Sequence, residues 1–266
     1  MGEITRIYND EDYINSFTAR RNLPEAVVQN WCAQLIRLGE ETKQEKPLFA
    51  DIGCGAGRFS IPLSLQLARQ GSQLVCVDSS TAMLARLEKS TRNLGIKNIS
   101  LVNETAEKFE HEKPIDIFFM SDIIQAVEDR TRLFRHLRSV SSATAIVAIR
   151  MSSHEQLLQA AWLSFFPAAL AQDIRRTPSF EEIAKEAKEA GFEGGLSTLL
   201  IPESVEISAQ EFLHPLENKA YSILRLIEEK EYQNGLASVR AFAQGKTKIN
   251  TKINKTLLMI RAAPTR

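Results

Sequence analysis

The segment Leu48-Phe49-Ala50-Asp51-Ile52-Gly53-Cys54-Gly55-Ala56-Gly57 constrains this chain more than any other. A short apolar run carrying one acidic residue reads as a buried strand over Leu48–Gly53, and the alternating glycines turn the chain into a following helix. Glycine lacks a Cβ and tolerates positive φ, so such a turn lets a ligand lie against bare backbone. The helix N-terminus beyond it aims unpaired N–H groups at the same place. A strand, turn and helix of this kind suit a nucleotide-like cofactor.

From residue 48 to about residue 200 strands and helices alternate. Strands are predicted at Leu48–Gly53, Leu74–Asp78, Ile99–Glu104, Ile115–Asp122 and Thr144–Met151, each a short apolar run without helical period, as parallel strands covered on both faces require. Between them the spacing predicts a helix over Arg58–Gln70, a second from near Ser80 with Met83, Leu84, Leu87 and Leu94 on one face, and a third after Asp129 burying Leu133, Phe134, Leu137 and Val140. Ser179 followed by Glu182 marks a fourth with a capping box, and Gly71, Gly95 and Gly191 stand as helix stops. Repeating βα units predict an open, doubly wound α/β sheet with its ligand at the carboxyl ends of the strands.

The flanks read differently. Residues 9 to 45 look helical, with an apolar stripe of Val27, Val28, Trp31, Leu35 and Ile36. Residues 153 to 172 are apolar almost all round, and Pro167 must interrupt or kink that segment. Residues 208 to 244 predict one or two helices opened by a capping box at Ser208 and Glu211, and Thr256–Ala262 a last strand. Lys246, Lys248, Lys252 and Lys255 suit a solvated loop or hairpin better than an anion site. With 33 Lys and Arg against 33 Asp and Glu the net charge is zero, which gives no general pull toward nucleic acid or an anionic membrane. No apolar run is long enough to span a bilayer, and the polar N-terminus has no signal-peptide core. Cys32, Cys54 and Cys76, an odd number without close pairs, are expected to be reduced thiols of a cytoplasmic protein rather than metal ligands.

The glycine turn reads D-x-G-x-G-x-G, with Arg58 where a dinucleotide site would place its third glycine. It resembles motif I of the class I S-adenosylmethionine-dependent methyltransferases. Asp78, ending the second strand, stands where that family keeps an acidic residue for the ribose hydroxyls; Ser79 or Ser80 is left to cap the next helix. Asn103-Glu104-Thr105-Ala106-Glu107-Lys108-Phe109 resembles the family's adenine segment, with Thr105 where Asp is common, Glu104 able to substitute and the Ala106 N–H aimed at the ring. Asp116 to Asp129 resembles motif IV and the loop after it, with Gln125-Ala126 where many small-molecule members carry a His pair. Tyr13 and Arg21-Asn22-Leu23-Pro24 resemble the N-terminal segment whose arginine pairs with the methionine carboxylate, Arg20 being a rival. The resemblance covers most of residues 10 to 202 and the final strand. It implies a Rossmann-like, doubly wound seven-stranded sheet, mostly parallel with an antiparallel last strand, plus helical lid segments.

On that resemblance the chain divides into an N-terminal helical segment over the cofactor site (1–45), a methyltransferase core (46–202), a helical lid insertion (203–244) and the final strand (245–266). The implied cofactor is S-adenosylmethionine, held by Asp51, Gly53, Gly55, Gly57, Asp78, Ser79, Met83, Thr105, Ala106, Ser121, Arg21 and Tyr13. The acceptor is expected to be a small molecule, with Trp162, Phe165, Phe166, Phe212 and Tyr221 as candidates to line its pocket. Candidate catalytic residues are His154, Gln125 and His214; no metal, nucleic acid or membrane partner is expected, and the chain would act as a monomer or homodimer. The alternatives are a cofactor-binding protein of the same fold that catalyses another reaction, or a peptide methyltransferase. A nicotinamide-dependent oxidoreductase is disfavoured by Arg58.

Overall fold

A computed structural model describes residues 23–251 and 254–262. The described chain runs α1 (Glu25–Glu41), β1 (Leu48–Ile52), α2 (Ser60–Ala68), β2 (Gln73–Val77), α3 (Thr81–Asn93), β3 (Ile99–Val102), β4 (Ile115–Ser121), α4 (Arg130–Ser139), β5 (Ser141–Met151), α5 (His154–Leu158), α6 (Pro167–Arg176), α7 (Phe180–Glu189), β6 (Leu196–Pro202), β7 (Val205–Ser208), α8 (Ala209–Glu217), α9 (Glu229–Ala243), β8 (Lys248–Thr251) and β9 (Asn254–Arg261). Seven strands form one sheet in the order β3-β2-β1-β4-β5-β9-β6. The pairs β3–β2, β2–β1, β1–β4 and β4–β5 are parallel, and β9 runs antiparallel to β5. The strand order therefore reverses between β1 and β4, the switch point at which a doubly wound sheet opens a crevice.

The chain separates into two compact units, a sheet unit (Glu25–Met151, Phe180–Leu199 and the residues from Thr256) and a helical unit that includes Ser152–Ser179 and Leu200–Lys255. In the sheet unit β1 and β4 are buried at every position, because helices cover both faces. On α3, Met83, Leu84 and Leu87 are buried as expected, whereas Leu94 is 57% exposed: it is the C-cap, past the last turn that faces the sheet. On α4, Leu133, Phe134 and Leu137 are buried and Val140 is the C-cap.

The helical unit has its own core, in which Phe166, Phe212, Leu224, Tyr232 and Leu236 meet. Pro167 starts α6 at its first position, where the missing N–H costs nothing, so the apolar 153–172 segment breaks into α5, a short 3-10 turn (Leu163–Phe165) and α6. The capping box at Ser208 and Glu211 opens α8. Unforeseen is the antiparallel pair β7–β8, in which Lys248 of the basic cluster pairs with Glu206 across the ladder at 2.6 Å.

Gly235 sits inside α9 where a Cβ would strike the Phe166 ring and lie 2.6 Å from the Phe165 carbonyl oxygen. Alanine normally favours a helix over glycine by about 1 kcal/mol. Here Gly235→Ala is expected to destabilise the protein by about 1–3 kcal/mol in chemical denaturation, because backbone at that distance cannot yield.

Candidate functional site

The glycine turn leaves β1 and is held by β2. Gly53 N and Cys54 N both donate to the Val77 carbonyl, at 2.8 and 3.1 Å, and Gly55 N donates to Asp78 Oδ2 at 2.8 Å. Gly53, Gly55 and Gly57 adopt φ of 71°, 55° and 90°. Their surroundings differ. A Cβ on Gly53 would lie 2.7 Å from Ile123, and one on Gly57 would strike Leu87, but one on Gly55 would meet nothing within 4 Å. Gly53 and Gly57 are thus needed for packing, and Gly55 is where bare backbone faces open space.

Asp78 also accepts from Ser80 N through Oδ1 at 2.8 Å. Both oxygens are engaged by backbone, yet a carboxylate offers about four lone-pair sites, so each can accept again. Ser80, rather than exposed Ser79, caps α3 by accepting from Met83 N at 3.2 Å; the Met83 side chain is buried. At the end of β3, Asn103 donates to the Asp78 carbonyl at 3.0 Å and Thr105 N donates to the Glu104 carboxylate at 2.8 Å. Thr105 and Ala106 remain half-buried there.

Asp51 does not face solvent. It is 2% exposed and accepts from the Ser60 hydroxyl at 2.6 Å, tying the end of β1 to the first residue of α2 across the turn. Burial pushes its carboxyl up to about 6, partly opposed by the Ser60 bond and by Arg58. Burial and the charge of Asp51 push the Cys32 thiol up to about 12, and contact with the Cys76 thiol together with burial raises Cys54. These thiols are free and buried, the condition in which cysteine is inert. Among the described residues no group of three or more His, Cys, Asp or Glu could hold a metal ion.

The other wall of the switch-point crevice is the end of β4. Arg58, directly after the glycine turn, donates to Ser121 Oγ at 3.0 Å and lies 3.6 Å from Asp122 Oδ2. Arg150 of β5, 2% exposed, bonds the same Asp122 oxygen and donates to Ser121 Oγ at 3.4 Å. Its guanidinium lies 5.4 Å from the Trp31 ring and 5.6 Å from that of Phe59. Gln125, in a 3-10 turn, donates to the Asp122 carbonyl at 2.8 Å. Asp122 stands at the end of the fourth strand as expected, but the sequence reading assigned it no role and did not single out Arg150; the available signal was a lone arginine in the apolar run Ala145–Met151.

Among the other expected site residues, His154 is the first residue of α5, and its Nε2 meets the Thr177 carbonyl at 2.7 Å. His214 is exposed on α8, its Nδ1 3.2 Å from the Asn218 amide. Trp162 and Tyr221 stack at 4.0 Å with a 23° tilt and are half-buried, as is Phe165, whereas Phe166 and Phe212 lie inside the helical unit's core at 1% and 4% exposure. Tyr13 and Arg21 lie outside the described residues.

Residues 50–147 match the family described as a methyltransferase domain. Trans-aconitate 2-methyltransferase of Escherichia coli is 24% identical over 144 residues, covering 52% of this chain and 54% of that protein, so the chain spans about half the length of this relative. Among solved structures, a putative methyltransferase from an antibiotic biosynthesis pathway of Anabaena variabilis superposes with a TM-score of 0.64 at 14% identity, covering 87% of this chain and 96% of that one. A plantazolicin methyltransferase in complex with a pentazolic desmethyl analogue and S-adenosylhomocysteine gives 0.60 at 15% identity, with 98% and 95% covered.

Asp51 carries a pH prediction. Its folded value, about 6, lies above the ordinary aspartate value of about 3.9, so the folded state holds the proton more tightly. The wild type is then expected to lose stability relative to Asp51→Asn as pH rises from about 4 to about 6, by on the order of 3 kcal/mol, and no further above that. Denaturant titrations of both proteins across this window would show parallel curves if Asp51 titrated normally.

Proposed function

We propose that the chain is a class I S-adenosylmethionine-dependent methyltransferase that moves a methyl group to an oxygen, nitrogen or carbon nucleophile of a small, partly apolar molecule. The observation that carries this reading is the open backbone at Gly55 beside the Asp78 carboxylate, at the carboxyl ends of adjoining strands. A nucleoside fits that pair: unobstructed peptide on one side and a charged acceptor for two hydroxyls on the other. In this reading Asp78 holds the ribose, Thr105 and the Ala106 N–H face the adenine, and Gly55 admits the cofactor's chain. Gly53 and Gly57 keep the turn packed on Ile123 and Leu87. When bound, S-adenosylmethionine supplies a methyl group already activated on a sulfonium.

The remaining work is alignment. Holding the nucleophile in line can contribute roughly 7–11 kcal/mol, which makes orientation the main catalytic term here. His154 is the candidate for proton transfer, its ring oriented by the Nε2 contact with the Thr177 carbonyl. Within the helical unit the half-buried Trp162–Tyr221 stack, with Phe165, is an aromatic surface backed by Phe166 and Phe212 in that unit's core. A small acceptor is supported by the relative named for trans-aconitate and by the balanced charge of the chain.

Asp78→Ala is expected to weaken S-adenosylhomocysteine binding by about 1.5–3 kcal/mol in calorimetry, the scale of hydrogen bonds to a charged group. Unchanged affinity would remove the ribose role. Methyl transfer itself is tested by S-adenosylhomocysteine formation against a panel of small carboxylic acids, phenols and amines; its absence across acceptors that bind would favour a non-methylating member of the fold.

A further inference from the structure

The two walls of the switch-point crevice are joined by a bridge of charged groups. β1 delivers the glycine turn and Arg58, and β4 delivers Ser121 and Asp122. Arg58 and Arg150 converge on the same two acceptors, the Ser121 hydroxyl and Asp122 Oδ2. Asp122 is held in a left-handed conformation, φ 57°, which an aspartate tolerates at some cost. It is fixed from further sides as well: its N–H donates to the Arg150 carbonyl at 2.9 Å and its carbonyl accepts from Gln125. Arg150 itself is confined between its acceptors and the rings of Trp31 and Phe59. Such a buried guanidinium is costly unless fully engaged, and its planar fork serves two acceptors in fixed directions where an ammonium would not.

We propose that Arg150 is a positioning residue for methyl transfer: acting through Asp122 and Ser121 it fixes Arg58, and with it the spacing between the glycine turn and the end of β4, without touching cofactor or acceptor. The proposal rests on the cofactor site described above. It gives a reason for Arg58 at the position where a dinucleotide site keeps glycine, since the side chain there forms one end of the bridge.

The test is S-adenosylhomocysteine binding by calorimetry on the full chain, together with fluorine NMR of fluorotryptophan-labelled protein. The chain has two tryptophans, so its two resonances are assigned with Trp162→Phe. Arg150→Met, Asp122→Asn and Asp122→Gly are each expected to weaken binding roughly tenfold or more. The Arg150→Met/Asp122→Asn double variant should bind no more weakly than the worse single one, because one bridge is broken in every case. Arg150→Lys should recover part of the loss. Glycine adopts the left-handed conformation freely, so wild-type affinity in Asp122→Gly would reduce Asp122 to a backbone requirement and overturn the proposal; additive losses in the double variant would overturn it too. Should Arg150→Met fail to fold, Arg150→Lys carries the test, expected to weaken binding and to move the Trp31 resonance; wild-type affinity in it would overturn the proposal. If the wild type binds no S-adenosylhomocysteine, the cofactor reading fails and the bridge is judged by the spectrum alone: the Trp31 resonance must move in Asp122→Gly, and an unmoved resonance overturns the bridge.

Discussion

The grip of β2 on the turn after β1 is the interaction from which the site follows. Three backbone N–H groups of residues 53–55 find acceptors in the Val77 carbonyl and the Asp78 carboxylate. Without those acceptors, the polar groups of a turn emerging from a buried strand would be left unsatisfied, at a cost of about 1–3 kcal/mol each. With them, the chain can adopt positive φ at Gly53, Gly55 and Gly57 and still reach the start of α2, where Ser60 closes the turn back onto Asp51. Asp78 therefore has a structural task before any ligand arrives. The same carboxylate shapes the turn and offers acceptors to what lies against it.

Buried polar groups are paired at both ends of β1 and β4. Asp51 meets Ser60, Asp116 Oδ2 accepts from Leu48 N at 2.8 Å, and Asp122 meets two arginines. The Asp51 and Asp122 pairings lie beside the glycine turn, where β1 and β4 end, whereas the Asp116 pairing ties the amino ends of β1 and β4 together. Low dielectric strengthens such contacts and makes their loss costly. Asp51 shows the price of this arrangement in its raised carboxyl value, and burial pushes the Cys32 thiol up for the same reason.

Much of the architecture was legible because it depends on patterns local in sequence. Apolar runs without helical period located the parallel strands, the pattern D-x-G-x-G-x-G located the turn, and Asp129 and the Ser208–Glu211 box located helix starts. Other features depend on groups that sequence does not bring together. Leu94 fits the α3 stripe by spacing but falls past the last turn that faces the sheet. Phe166 and Phe212 carry the same aromatic signal as Trp162 and Tyr221, yet the first two fill a core and the latter pair remain half-buried. The β7–β8 pair joins residues at least forty positions apart in a stretch whose composition suggested helices and a solvated loop or hairpin.

What the sequence alone determined is the succession of strands and helices, the conformation of the glycine turn and the carboxylate beside it, because backbone sterics, side-chain period and capping act over a few residues. Only the tertiary structure decided which glycine faces open space, which aspartate is buried rather than available to a ligand, and that arginines 92 positions apart share one aspartate. Those outcomes are set by how β1, β4 and β5 lie side by side, since burial and charge pairing depend on neighbours in space and not on neighbours along the chain.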